Sequence, residues 1–242
     1  MNGEPLLVAR GLRKSYGAVT VVRELDFEVY RGEVLGVLGP NGAGKTTLFN
    51  LISGDAACDA GEVRFAGRVL KREQPFQRCR MGIGRTYQIP RPFGGMTAYE
   101  NLLVAAMFGG GLAERQAIGR SVEVLERCGL GPKADQLASR LPLLDRKRLE
   151  LARALASGPQ VLLLDEIAAG LTDEEAEELV RLVASLKLND VTIVWIEHVL
   201  RAVMAVADRV LVLDFGELLA VGTPAEVMAD SEVRRVYMGI ER

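Results

Sequence analysis

The sequence is poor in cysteine, has no long apolar run and carries almost no net charge, and each shortage removes a class of function. Its three cysteines, Cys58, Cys79 and Cys128, are odd in number and far apart. That spacing suits neither a disulfide framework nor a zinc site, so they read as buried or incidental thiols. The longest weakly polar run, Leu102 to Met107 followed by Phe108 and three glycines, is far shorter than the roughly 20 apolar residues that cross a bilayer. A membrane span is therefore not expected. The formal charge of -2 argues against a binder of phosphate backbones, which carries a strong basic excess. No nucleic-acid partner is expected. Met1-Asn2-Gly3-Glu4 lacks the charged start and apolar stretch of a signal peptide. The expected compartment is the cytoplasm, with any membrane link made through a partner.

What is present is an ordinary globular composition, 49% hydrophobic and 26% charged, which fits a soluble fold. At 242 residues the chain can bury one sizeable core, so a single domain with a possible inserted subdomain is expected. Short Val/Ile/Leu runs at Leu6 to Val8, Val34 to Leu38, Val161 to Leu164, Val191 to Ile196 and Val210 to Leu213 read as strands of a largely parallel, buried sheet. Val19 to Val29 alternates and suggests an antiparallel strand. The fold class is α/β, a mixed sheet with an N-terminal antiparallel β subdomain. Capping boxes mark helix starts at Thr97 with Glu100, Thr172 with Glu175 and Thr223 with Glu226, the last followed by Pro224 at the first helical position. Between Gln88 and Gly158 helical periodicity dominates, as in Ala113 to Cys128 and Arg146 to Ala156. Residues 89–158 are thus expected to form an inserted helical subdomain in a core of residues 1–88 and 159–242. Asp214-Phe215-Gly216-Glu217 reads as a hairpin turn.

Gly39-Pro40-Asn41-Gly42-Ala43-Gly44-Lys45-Thr46 matches the phosphate-loop pattern after an apolar strand and before a helix. Its glycines let backbone N–H groups approach phosphate oxygens, Lys45 reaches the β and γ phosphates, and the Thr46 hydroxyl ligates Mg²⁺. A plain Gly-rich turn would not need Gly, Lys and hydroxyl residues all at these positions. Val161 to Leu164 runs into Asp165 and Glu166, so the acids emerge at the carboxyl edge of the sheet. Alone, such a pair equally suits a solvated helix start. Beside a phosphate loop, Asp165 is expected in the Mg²⁺ shell and Glu166 as general base for the attacking water. His198, the one histidine, follows the next apolar strand and is expected to bond the γ-phosphate. ATP and Mg²⁺ are the cofactors this reading requires.

Together these motifs, with Gln88 and the helical insert, resemble the ATPase subunits of ABC transporters across essentially the whole chain. Four stretches are most similar to ATP-binding subunits of branched-chain amino acid importers: Gly82 to Gln88, Met96 to Ala105, Arg148 to Arg153, and Ile196-Glu197-His198 with the ending from Gly222-Thr223-Pro224. The resemblance implies a P-loop NTPase with a RecA-like core. It implies nucleotide contacts along Gly39, Pro40, Asn41, Gly42, Ala43, Gly44, Lys45, Thr46 and Thr47, with Tyr16 stacking on adenine. Gln88 would contact Mg²⁺ or the attacking water and signal to the membrane partner. The turn-rich apolar loop Ile89 to Met96 would dock that partner. The implied partners are a second ATPase subunit, transmembrane permease subunits and, indirectly, a solute-binding protein, at the cytoplasmic face of the membrane.

One segment departs from the family. Where each subunit normally offers its partner a Leu-Ser-Gly-Gly-Gln signature, this chain has Leu141-Pro142-Leu143-Leu144-Asp145. The hydroxyl and both glycines are gone, and Asp145 would bring negative charge toward the γ-phosphate unless turned away. Asp145 can instead cap a helix beginning at Arg146, with Leu143 and Leu144 in the core. Thr172, where the family has Asp, is explained by its capping role. These departures imply pairing with a different ATPase that supplies an intact signature, although a homodimer stays open. Branched-chain or other hydrophobic amino acids are the implied cargo. Urea, short amides, lipid export and a weakly hydrolysing regulatory subunit are the alternatives, and a GTPase is disfavoured because no Asn-Lys-x-Asp segment occurs.

Overall fold

The computed structural model describes residues 3–187, 191–197 and 200–238. The chain divides into two compact units, one built from residues up to Pro75 and from Lys187 onward, the other from Phe76 to Leu186.

The first unit opens with β1 (Leu7–Tyr16) and β2 (Val19–Val29), an antiparallel pair whose register runs from Leu7 opposite Val29 to Tyr16 opposite Val19. β3 (Val34–Leu38) is buried at every residue and leads through a loop into α1 (Lys45–Ser53). β4 (Ala60–Phe65) pairs antiparallel with β1, and β5 (Arg68–Leu70) with β4, giving a sheet ordered β2-β1-β4-β5. The expectation of a parallel strand at Leu6 to Val8 is corrected: Leu7 and Val8 open β1, which is antiparallel to both neighbours. Leu7, Ala9 and Leu12 are buried while Arg10 faces solvent. That half-buried pattern belongs to an antiparallel sheet with one wet face, and three apolar residues are too few to display it.

The second unit begins near α2 (Pro75–Met81) and carries β6 (Ile83–Arg85), α3 (Ala98–Val104), α4 (Glu114–Arg127), α5 (Leu143–Ala156), β7 (Val161–Asp165) and α6 (Asp173–Lys187). β6 and β7 run parallel, with Ile83 opposite Val161 and Arg85 opposite Leu163. α3 buries Ala98 and Leu102, and α4 buries Ala117, Ser121 and Val124, at spacings of three to four, so each turns one stripe inward, whereas α5 is buried on most of its surface from Leu149 to Ala156. The capping boxes form as expected. Thr97 accepts from the Glu100 N–H at 3.1 Å and its own N–H donates to Glu100 at 2.7 Å. Thr172 and Glu175 repeat the arrangement at 3.3 and 2.9 Å.

The chain then returns to the first unit with β8 (Thr192–Ile196), α7 (Leu200–Val206), β9 (Arg209–Asp214), β10 (Glu217–Gly222), α8 (Pro224–Ala229) and α9 (Ser231–Met238). These strands lie in the order β10-β9-β3-β8. β3 is parallel to β8 and β9, and β9 is antiparallel to β10, which makes the sheet mixed. The hairpin turn places both Phe215 (φ 43°) and Gly216 (φ 83°) in the left-handed region. Two such residues in succession are what a type I′ turn demands. At Gly36 an added Cβ would collide with Val203, so the missing side chain lets α7 lie against β3. Leu38, Val203, Val210, Val212, Val227 and Val233 form the core there. The third capping box, Thr223 with Glu226, starts α8 with Pro224 at its first turn.

Candidate functional site

The sequence-predicted residues fall into two groups, one in each unit. In the first unit, β3 ends in a loop whose glycines are dictated by backbone shape. Gly39 (φ 154°), Gly42 (φ 82°) and Gly44 (φ 100°) all have positive φ. An added Cβ at Gly39 would strike the Leu213 carbonyl, and one at Gly44 would meet the Val21 carbonyl at 2.6 Å. The loop is thus closed in by β9 and β2, and only glycine fits where the walls are backbone. Lys45 is buried, and its Nζ donates to the carbonyls of Gly39 at 2.7 Å and Pro40 at 3.0 Å. Pro40, Asn41, Gly42 and Thr46 are exposed, Thr47 is half-buried and Ala43 is buried. The Ala43 carbonyl accepts from the Gly216 N–H at 3.2 Å, tying the loop to the β9–β10 turn. α1 has no acidic residue in its first turn, so its unpaired N–H groups and dipole favour an anion. Tyr16, also in this unit, ends β1 half-exposed with the Lys14 ammonium 5.3 Å from its ring centre.

In the second unit, β7 carries Asp165 to its end as a buried carboxylate. Arg85, from β6, donates to Asp165 Oδ2 at 3.1 Å, and both side chains are nearly dry. The Thr86 hydroxyl accepts from the Asp165 N–H at 3.2 Å, and the Thr86 N–H donates to Leu163 at 2.9 Å. Glu166 follows with φ 46°, a left-handed conformation for a residue with a Cβ. Such strain costs on the order of 1–3 kcal/mol and gathers at functional sites. Gln88 Nε2 donates to Glu166 Oε2 at 2.6 Å. Three of the expected site residues, Gln88, Asp165 and Glu166, are therefore brought together.

A model of the ABC transporter family matches residues 22–169, and one of the branched-chain amino acid ATP-binding cassette transporter matches residues 217–241. The chain is 39% identical to the high-affinity branched-chain amino acid transport ATP-binding protein LivG of Escherichia coli K12, across 98% of both chains. It is 35% identical to BraF of Pseudomonas aeruginosa, of the same description, over 97% of this chain and 98% of that one. The solved ADP conformation of an ATP-binding cassette superposes with a TM-score of 0.87 at 27% identity, covering 98% of this chain and all of that one. The chain belongs to the ABC transporter family. It has the P-loop NTPase fold of an ATP-binding cassette, an ATPase coupled to transport.

Against the ABC transporter pattern, the start of α5 is the departure, and the structure corrects two expectations there. Asp145 does not cap a helix beginning at Arg146. The helix starts at Leu143 with Pro142 in the cap position (φ −63°, ψ 168°), so Asp145 lies inside the first turn. It is buried and ion-paired to Lys133 and, at 3.5 Å, to Arg148. Leu143 is exposed and Leu144 half-buried, so neither belongs to the core. The proline fixes the entry backbone without donating a hydrogen bond, which allows the helix to begin at Leu143, three residues ahead of Arg146.

The loop Ile89 to Met96 exposes Ile89, Phe93 and Met96. Its backbone is held from within the same unit of the cassette: buried Asn101 accepts from the Phe93 N–H at 2.8 Å and donates to the carbonyls of Phe93 at 3.1 Å and Thr97 at 2.9 Å. Glu150 on α5, buried beside Arg153, has its carboxyl pushed up by burial, offset in part by Arg153 and by N–H groups of Arg91 and Tyr87. His198 lies outside the described residues. Sequence reasoning missed Arg85, Thr86 and Lys147 as residues that brace the acidic end. Arg85 and Thr86 sit within the Gly82 to Gln88 stretch but have no motif role, and Lys147 gives no local signal at all. Among the described residues no group of three His, Cys, Asp or Glu side chains could hold a metal, and no helix is long and apolar enough to cross a membrane.

Proposed function

We propose that this chain is the ATP-hydrolysing subunit of a membrane importer for branched-chain or other hydrophobic amino acids. The observation that carries the reading is the 39% identity to a branched-chain amino acid transport ATP-binding protein over 98% of both chains. The match of residues 217–241 to the branched-chain cassette model supports it independently of the phosphate loop.

In this reading Gly39 to Thr47 wraps the phosphates with backbone N–H groups, Lys45 neutralises the β and γ oxygens, and Tyr16 stacks on adenine. The Thr46 hydroxyl in the first unit, and the Asp165 carboxylate and Gln88 side-chain oxygen in the second, are each donors of the kind a hard cation such as Mg²⁺ takes. Mg²⁺ bound with the nucleotide would supply charge neutralisation at the phosphate oxygens. Glu166 takes a proton from the water that attacks the γ-phosphorus as the bond to the β-phosphate oxygen breaks, releasing ADP and phosphate. Gln88 orients Glu166 through its amide, and His198 bonds the γ-phosphate. The exposed apolar residues of the 89–96 loop dock the permease, placing the subunit at the cytoplasmic membrane face. Residues 89–158 act as the helical subdomain that carries this contact.

The second ATPase of the pair is a different chain with an intact signature. Buried Asp145 and exposed Leu143 leave this chain unable to offer a hydroxyl and two glycines to a neighbour's γ-phosphate.

The test is ATPase activity of the reconstituted complex, with its co-purifying permease and binding protein, in the presence of leucine, isoleucine and valine. Stimulation by these and not by urea, short amides or lipid is expected. Stimulation by urea or lipid alone would overturn the amino-acid assignment.

A further inference from the structure

The signature helix α5 does more than present its N-terminus. Lys147 lies in its second turn, buried to 3% exposure. Its Nζ donates to the Gln88 carbonyl at 2.6 Å and reaches the Glu166 carbonyl at 3.5 Å. The side chains of these two residues meet each other, Gln88 Nε2 donating to Glu166 Oε2 at 2.6 Å. Three residues from α5, the loop after β6 and the end of β7 thus close a ring. The 2.6 Å contact is short and charge-assisted, and the 3.5 Å contact is at the outer limit of a hydrogen bond but still puts a positive charge near a carbonyl dipole.

Two further features favour a positioning role for this ring. Glu166 is held at φ 46°, which costs energy and persists only where the surroundings over-determine it. Lys147 grips the carbonyl of that strained residue. Farther along the same helix, three and six residues on, Glu150 and Arg153 hold the continuing loop, with Arg153 donating to the Arg91 carbonyl at 2.9 Å. The loop carrying Gln88 is therefore anchored to one face of α5 over two turns.

We propose that Lys147 is a positioning residue for ATP hydrolysis: it fixes the backbones of Gln88 and Glu166 so that the Glu166 carboxylate is aimed for water activation. This rests on the roles given to Glu166 and Gln88 above. It touches neither nucleotide nor water itself, so its loss lowers kcat and leaves nucleotide affinity alone.

The experiment measures kcat, KM, fluorescent-ATP affinity and thermal unfolding of the assembled complex carrying Lys147→Met, Lys147→Arg or Glu166→Gln. The expected result is a fall in kcat of about 10-fold or more for Lys147→Met with affinity within about twofold, and partial recovery in Lys147→Arg, which keeps the charge and donors. In a Gln88→Ala background, Lys147→Met should add little, because both act through one ring. Should Lys147→Met not fold, Lys147→Gln keeps one donor and is read the same way. Unchanged kcat in the folded Lys147 variant, while Glu166→Gln abolishes turnover, overturns the proposal. So does a parallel fall in affinity and melting temperature that accounts for the loss. Full turnover in Glu166→Gln instead overturns the general-base role and leaves the cause separable.

Discussion

Lys133 pairs with the buried carboxylate of Asp145 in the first turn of α5, so a negative charge stands at the end of the helix that would otherwise favour an anion. Arg148 takes the other carboxylate oxygen at 3.5 Å and pairs in turn with Glu178 at 2.5 Å. The favourable N-terminal position of the helix is thus filled by the chain's own anion. Replacing Asp145 with Ala should destabilise the second unit by about 1–3 kcal/mol, because removing the buried carboxylate leaves behind two cations that are both only partly solvated, one of which keeps Glu178. Denaturant unfolding measures this, and a change below about 0.5 kcal/mol would mean the pair is inert. Rebuilding the family signature as Pro142→Ser, Leu143→Gly, Leu144→Gly and Asp145→Gln should raise ATP turnover of the assembled pair, whereas Asp145→Ala alone should not.

Glu166 in the left-handed region separates stability from function. Glycine adopts φ 46° without a Cβ penalty of about 1–2 kcal/mol, but enlarges the freedom of the unfolded chain by about 0.5–1 kcal/mol. Glu166→Gly should therefore leave unfolding free energy within about 1 kcal/mol of the parent while turnover is lost. Glu166→Val, β-branched and unable to relax there, should be clearly less stable than Glu166→Gly.

Glu150 makes the second unit sensitive to pH. Burial holds its carboxyl above the ordinary value of 4.5, against the pull of Arg153. A raised folded-state value means the folded chain binds the proton more tightly than the unfolded chain. Its contribution is then greatest below pH about 4.5 and is lost as pH rises through the elevated value. The stability of the parent relative to Glu150→Gln should accordingly be most favourable at the acidic end and decline toward neutral pH. A difference independent of pH would contradict this.

What could be read from the sequence was local. The three capping boxes depend on residues three apart, and the phosphate loop on eight consecutive positions, so both stood out without any fold. The hairpin at Phe215-Gly216 was legible for the same reason, although only the structure shows that Phe215 shares the left-handed turn with the glycine. The contacts that brace the acidic end join residues distant in the chain, Arg85 with Asp165 and Lys147 with Gln88, and no periodicity marks them. Asp145 reads as a cap from sequence because Asp is a common one, whereas Pro142, which sets the helix start without a side-chain hydrogen bond, leaves no such mark. The three-residue β6 was too short to register, yet its parallel pairing to β7 is what sets Arg85 beside Asp165.

In the proposed pairing, this chain brings the phosphate loop and the catalytic acid and relies on another chain's signature. ATP turnover should be measured in the complex of this chain with its co-purifying second cassette, mutating the catalytic glutamate of one chain at a time. Glu166→Gln here should nearly abolish turnover, while the same change in the partner should leave most of it. Equal losses from the two substitutions, or strong cooperative hydrolysis by this chain purified alone, would contradict this pairing.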